Sequence, residues 1–143
     1  MDPSGSKKYW LGGDTLGHIF YTREGYMSAH LSRKERTETA QKILFQDTAE
    51  EKAALFVEGT SYTGTFDIDS SQKTVTHHVH IASDPCNVGA HLTRDYHFDT
   101  LSDGTKTLCL STTYRDGSKL VLDWKKMQSY KHGTVPVQPR TLG

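Results

Sequence analysis

Residues 73–98 read KTVTHHVHIASDPCNVGAHLTRDYHF and contain two segments in which side-chain character alternates with a period of two. Such alternation is typical of a β-strand with one face on a core and the other on water. In the first segment His77 falls on the same face as Val79 and Ile81. In the second segment Arg94 falls on the face that carries leucine, tyrosine and phenylalanine side chains. The stretch therefore predicts a β-hairpin with two polar groups on its apolar side.

These two polar groups are the leading candidates for chemistry. Residues on the same face of adjacent antiparallel strands lie within reach of one another, and polar groups among apolar neighbours are costly unless they are paired. His77 can transfer a proton near neutral pH, and the fork of Arg94 can hold a carboxylate or polarise a carbonyl. Tyr62 and Tyr96 lie on matching faces and offer hydroxyl groups. We predict His77, Arg94 and Tyr62 as catalytic residues. An arginine that pairs with a buried acid, or that spans the bottom of a barrel, is the structural alternative.

Composition narrows the class of protein. The chain has 143 residues, with 17 basic and 17 acidic side chains, and no basic stripe, which argues against a nucleic-acid partner. No segment approaches the length of a membrane span, and the polar start of the sequence has no apolar signal region. Cys86 and Cys109 are far apart in sequence and are expected to be free thiols of a cytoplasmic protein. One domain is expected over residues 1–127, with a tail at 128–143.

The rest of the chain is mainly β. Residues 23–25 (REG) fit a type I turn with a left-handed glycine, which makes the first hairpin. Hairpin-length turns without a long crossover favour an up-and-down antiparallel barrel over a sandwich, and a barrel also removes exposed edges. With the two strands of residues 73–98 this gives seven strands; the other five segments are 16–22, 25–32, 60–68, 106–114 and 118–127.

One short helix interrupts the strands. Asp47 and Glu50 have the spacing of a capping box, and the helix is expected to run to about Val57 and to stop at Gly59. Its side chains available for packing are Ala53, Leu55 and Phe56. Residues 33–46, just before it, are polar without a clear period and are expected to form a loop.

The predicted barrel has an apolar interior suited to a hydrophobic small molecule. In the first hairpin the more apolar face, which includes Ile19 and Leu31, is expected to point inward. If the cavity is more polar, the opposite face lines it and brings in Tyr26 and His30. The predicted substrate-binding residues are Tyr21, Met27, Ala29, Phe66, Val79, Tyr96, Leu108, Leu110 and Trp124.

A metal site is the alternative to proton chemistry. His78 and His80 lie one residue apart in the first strand of residues 73–98, and Asp84 follows, as in several barrel metalloenzymes. The two histidines share a face with threonines, however, which indicates that this face of the sheet is exposed to solvent. We therefore predict no metal. The sequence also has no phosphate-binding glycine loop and no dinucleotide fingerprint, so no cofactor is predicted.

Three blocks of sequence resemble a known family. LGHIFYTREGYMSAHL at residues 16–31, GTSYTGTFDID at 59–69 and the stretch at 73–98 are similar to the lipocalin-like domain family of bacterial and fungal proteins. The Gly-Tyr-Met-Ser and Thr-His-His blocks are the more specific parts of this match. Members of that family usually begin with an extra strand bearing Gly-x-Trp, for which residues 9–11 (YWL) are a poor substitute. We therefore expect closure by fewer strands, by the tail, or by a second copy in a homodimer.

The resemblance implies a barrel that holds a hydrophobic ligand. Some fungal members of lipocalin-like and related small-barrel families act in natural-product pathways as cofactor-free cyclases, isomerases or pericyclases. By that resemblance we expect a cofactor-independent biosynthetic enzyme, such as a Diels–Alder-type catalyst or a dehydratase. A non-catalytic carrier of a hydrophobic small molecule is the alternative.

Overall fold

A computed structural model describes residues 11, 15–34 and 48–129 of the chain. The predicted loop at 33–46 and the predicted tail at 128–143 fall almost entirely outside these residues. No helix in the described ranges is long and apolar enough to cross a membrane. Cys86 and Cys109 are both free thiols.

The fold is a seven-stranded antiparallel up-and-down barrel, nearly closed, with one short helix, as the sequence predicts. Every strand pairs with the next strand along the chain, in the order β1 to β7. The elements are β1 (Thr15–Tyr21), β2 (Tyr26–Arg33), α1 (Ala49–Phe56), β3 (Gly59–Asp69), β4 (Thr74–Ala82), β5 (His91–Thr100), β6 (Lys106–Thr113) and β7 (Lys119–Lys125).

The first hairpin has the predicted turn and the predicted interior face. Gly25 has a φ of 89°, and the Thr22 amide donates to the Tyr26 carbonyl over 2.9 Å. Because this turn sets Tyr21 opposite Met27, one face of the hairpin is fixed toward the core. The buried residues of β2 are Met27, Ala29 and Leu31.

Because of a β-bulge between β3 and β4, one residue of β4 does not lie on the face that was predicted for it. Thr63 lies opposite Ile81, but Gly64 lies opposite Val79, so His80 is the extra residue on β4. A bulge breaks the alternation of faces, because two residues on one strand then oppose a single residue on the other. Ile81 was predicted to share the inward face with Val79; it is instead 69% exposed.

The capping box of the helix lies one residue later in the chain than predicted. Thr48 is the N-cap: its hydroxyl accepts from the Glu51 amide over 3.2 Å, and its own amide donates to Glu51 Oε2 over 2.7 Å. The sequence DTAEE offers the same three-residue spacing twice, and the pair with the threonine forms the box. The predicted packing is also wrong for Ala53 and Phe56, which are exposed, whereas Leu55 is half-buried.

The barrel has one open seam among the described residues. β1 pairs only with β2, and β7 pairs only with β6. Because directions alternate along a seven-strand meander, the first and last strands run parallel to one another. The backbone edges of β1 and β7 that face this seam therefore lack a strand partner within the described ranges.

Candidate functional site

His77 is the most deeply buried large side chain of the barrel. It lies in the middle of β4, on the inward face between Val75 and Val79, and is 1% exposed. An imidazole in such a position must find hydrogen-bond partners for both ring nitrogens, or its burial costs free energy.

Two tyrosines supply those partners. The Tyr21 hydroxyl lies 2.7 Å from His77 Nε2, and the Tyr62 hydroxyl lies 3.0 Å from His77 Nδ1. Tyr21 comes from β1 and Tyr62 from β3, so three strands converge on one ring. Phe66 and Tyr21 pack in an edge-type arrangement, with ring centroids 4.8 Å apart. The result is a continuous tyrosine–histidine–tyrosine network inside the barrel.

The network is neutral at physiological pH. Burial is the main reason that the pKa of His77 is lowered to about 4, and the charges of Arg94 and His78 act in the same direction. Burial also raises the pKa of Tyr21 and of Tyr62, against the opposing effect of Arg94. All three groups therefore keep their neutral forms near pH 7.

Because His77 is neutral, only one of its two ring nitrogens carries a proton, and this determines which tyrosine donates to it and which accepts from it. A neutral imidazole has one N–H donor and one acceptor nitrogen. One tyrosine therefore donates to His77, while the other accepts from it and keeps its own hydroxyl proton for a further acceptor. The network thus offers one hydroxyl proton to whatever lies beside it.

Arg94 brings a positive charge to the same face. On β5 it pairs with Val75, while His77 pairs with Leu92, so Arg94 lies diagonally from His77. Its half-buried side chain donates from Nη1 to the Thr93 carbonyl over 3.0 Å. No carboxylate in the described part of the chain forms an ion pair with it. The alternative in which a buried acid pairs with this arginine therefore finds no support among the described residues.

A cavity of about 1050 Å³ lies along the open seam and reaches the network through Tyr21. Its walls come from β1, from the last residues of β5, the first residues of β6 and the second half of β7. Three of the predicted substrate-binding residues line it: Tyr21, Leu108 and Trp124.

The other six predicted substrate-binding residues are not part of this lining. Four are buried in the core: Met27, Ala29, Val79 and Leu110. Phe66 and Tyr96 are half-buried, and Tyr96 packs near Phe98 with ring centroids 5.7 Å apart. Tyr96, considered as a second hydroxyl donor, makes no described hydrogen bond to His77, whose two nitrogens are taken by Tyr21 and Tyr62.

The sequence did not reveal that Tyr21 bonds His77, although it placed Tyr21 on the inward face. It also missed several lining residues. Three of these are Ile19, Leu122 and Phe98. Each could have been identified from the alternation of its strand, which places it on the inward face.

The histidines on the outer face form a different arrangement. His78 Nε2 lies 2.7 Å from Asp67 Oδ2, and His78 Nδ1 lies 2.6 Å from His91 Nδ1. Asp84 instead caps the short 3-10 turn Pro85–Asn87 by accepting from the Cys86 amide over 2.9 Å. Among the residues that the structure describes, no group of three or more histidine, cysteine or acidic side chains is placed to hold a metal ion.

An antiparallel barrel with an apolar interior, a seam cavity and a small inward polar cluster defines a class of β-barrel proteins whose architecture is consistent with small-molecule binding. Within that class the chain belongs to the lipocalin-like domain family, whose model matches residues 2–127. No curated protein and no solved structure gives a significant match to the sequence.

Proposed function

We propose that this lipocalin-like barrel is a cofactor-independent enzyme of natural-product biosynthesis, of the cyclase or isomerase type, acting on a hydrophobic intermediate. The observation that carries the proposal is the buried network of Tyr21, His77 and Tyr62 beside an arginine without a carboxylate partner among the described residues. An apolar cavity with a few convergent polar groups and perturbed pKa values is the usual composition of a small-molecule site.

The network supports proton transfer to a substrate oxygen. Because Tyr21 lines the cavity, the productive tautomer of His77 has its proton on Nε2 and donates it to the Tyr21 oxygen. The Tyr21 proton then points to a substrate carbonyl. When solvent water takes an α-proton of the substrate and negative charge develops on that oxygen, Tyr21 gives up its proton, Nε2–H reprotonates Tyr21, and the Tyr62 hydroxyl protonates Nδ1.

This relay conserves protons and moves the negative charge from the substrate oxygen to Tyr62. The positive charge of Arg94 opposes the rise in the pKa of Tyr62 and so stabilises the resulting phenolate. The reverse relay returns the proton to the network. Combined with a cavity that folds a flexible substrate, this serves enolisation, isomerisation or cyclisation without a cofactor.

The relay is tested with β-tetralone, a bicyclic ketone whose α-hydrogens exchange through the enolate. In deuterium oxide the wild-type protein is expected to accelerate this exchange, followed by proton NMR. Replacement of His77 or Arg94 by alanine is expected to lower the protein-dependent rate by about a hundredfold or more, the usual contribution of acid–base catalysis.

Two exposed residues provide matched controls. His97→Ala removes an imidazole from the outer face of β5, and Arg115→Ala removes a guanidinium from a turn; both are expected to retain the wild-type rate. Circular dichroism checks that all four variants remain folded. Undiminished exchange in both His77→Ala and Arg94→Ala would reject the assignment.

A non-catalytic carrier is the second candidate, and one observation favours it. Both nitrogens of His77 are already bonded by tyrosines, which is also a stable way to bury polar groups in a core. A carrier is expected to bind the ketone without accelerating exchange, and His77→Ala is then expected to alter affinity only mildly.

A further inference from the structure

The outer face of the sheet carries two imidazoles that meet nitrogen to nitrogen. His78 on β4 lies directly opposite His91 on β5, and their Nδ1 atoms are 2.6 Å apart. The two rings stand steeply to one another, with an interplanar angle of 73° and centroids 4.9 Å apart. Because two bare lone pairs repel, such an approach is attractive only when a hydrogen or a metal ion lies between the nitrogens.

Asp67 determines which nitrogen of His78 carries the hydrogen. Its Oδ2 lies 2.7 Å from His78 Nε2. A carboxylate only accepts hydrogen bonds, so the neutral imidazole of His78 has its hydrogen on Nε2 and a lone pair on Nδ1. A histidine that ligates a metal through one nitrogen and donates from the other to a carboxylate is the usual arrangement at protein metal sites.

His91 supplies the second nitrogen. Its side chain is exposed, and within the described ranges it makes its ring hydrogen bond through Nδ1. With a hydrogen on Nδ1, His91 donates to His78. Transfer of that hydrogen to His91 Nε2 leaves two Nδ1 lone pairs close together, and the exposed ring can turn so that both are directed at one ion.

The spacing of the two nitrogens favours a metal whose neighbouring ligands lie at right angles. With metal–nitrogen bonds of about 2.0 Å, neighbouring nitrogens are about 2.8 Å apart in a square plane and about 3.3 Å apart in a tetrahedron. The observed 2.6 Å is about 0.2 Å short of the first value and about 0.7 Å short of the second. Cu²⁺ and Ni²⁺ prefer planar or tetragonal sites with nitrogen and oxygen ligands, and Cu²⁺ binds the more tightly of the two.

We propose that His78 and His91 bind a divalent ion of the copper type on the outer face of the barrel, with Asp67 as the positioning residue that orients His78. The site has two protein ligands, and water completes the coordination. It therefore differs from the clusters of three or more side chains that are absent from the described residues. His77 lies on the opposite face of β4, so this inference does not rest on the proposed function.

A second histidine pair provides a matched control. His18 on β1 lies opposite His30 on β2, and both side chains are exposed. No hydrogen bond joins these two rings among the described contacts, and His18 packs near Phe20 instead, with ring centroids 5.9 Å apart. His18→Ala therefore removes an exposed cross-strand imidazole without altering the proposed site.

The test is a titration of the full chain with Cu²⁺ in succinate buffer, which competes for the ion through oxygen atoms only. Every protein carries Cys86→Ser and Cys109→Ser, because free thiols would reduce the ion. Isothermal titration calorimetry gives the Kd, and pulsed electron paramagnetic resonance counts the coordinated imidazoles. Circular dichroism checks that each variant is folded.

The reference protein is expected to bind its tightest Cu²⁺ ion with two imidazoles. Asp67→Asn is expected to weaken this binding about tenfold, the usual effect of losing such a partner, while both imidazoles stay coordinated. His91→Ala is expected to weaken it further and to leave one imidazole. His18→Ala is expected to keep the Kd and the two-imidazole signal of the reference.

An unchanged Kd and an unchanged two-imidazole signal in His91→Ala would overturn the site and leave a shared hydrogen as the explanation of the short contact. Loss of the signal in His18→Ala alone would place the ion at the other pair and would overturn the site equally. An Asp67→Asn protein that binds Cu²⁺ as tightly as the reference would overturn the positioning role of Asp67.

Discussion

Between pH 7 and pH 4 the free energy of unfolding of the wild-type protein is expected to fall by about 3 kcal/mol more than that of His77→Gln. The reason is the pKa of His77, which burial lowers to about 4, from the 6.5 of an exposed imidazole. Between these two values the unfolded chain binds a proton at this position and the folded chain does not. Acid therefore favours the unfolded state. Well above pH 6.5 the residue is neutral in both states and contributes no pH dependence.

The comparison isolates one titrating group. The glutamine amide supplies a donor and an acceptor for the two tyrosines but has no proton to gain in this range. Urea unfolding at closely spaced pH values gives the two stability curves, and the carboxylates titrate equally in both proteins. His97→Gln, on the exposed outer face, is expected to follow the wild-type curve. Parallel curves for the wild type and His77→Gln would show that the buried imidazole is not held neutral.

The alternation of residues 73–98 was enough to predict most of the barrel. A period of two assigns inward and outward faces without knowledge of the partner strands, so His77 and Arg94 were placed correctly on one face. Ile81 was placed on the wrong face, because a bulge depends on how two strands pair and not on the sequence of one strand alone. Gly64 accommodates it by letting the β4 backbone approach closely, and nothing in the sequence of β4 itself records this.

The site depends on curvature that strand patterns do not contain. β1 and β4 are separated by two other strands, and at about 4.8 Å per strand a flat sheet would hold them about 14 Å apart. The hydrogen bond between Tyr21 and His77 forms only because the sheet curls into a barrel. Sequence reasoning supplied the inward faces of both residues, but not their contact.

Gly64→Ala is expected to destabilise the protein strongly. A Cβ atom at residue 64 would lie 1.8 Å from the backbone oxygen of His78 and 2.9 Å from its carbonyl carbon. These are backbone atoms of the neighbouring strand, so no side-chain rotation relieves the clash. Either β3 and β4 separate at the bulge or the ladder shifts, and we expect a loss of stability of about 4 kcal/mol or more.

Gly117→Ala separates this steric effect from the general cost of replacing a glycine. Gly117 has a φ of 81° in the turn between β6 and β7, and nothing lies within 4 Å of a Cβ placed there. Its replacement costs only the strained backbone conformation, about 1–2 kcal/mol. Urea unfolding compares the two variants with the wild type. A Gly64→Ala protein no less stable than Gly117→Ala would contradict the close approach of β3 and β4. Because Tyr62 and His77 lie on these two strands, a folded Gly64→Ala protein is also expected to lose proton-exchange activity toward β-tetralone.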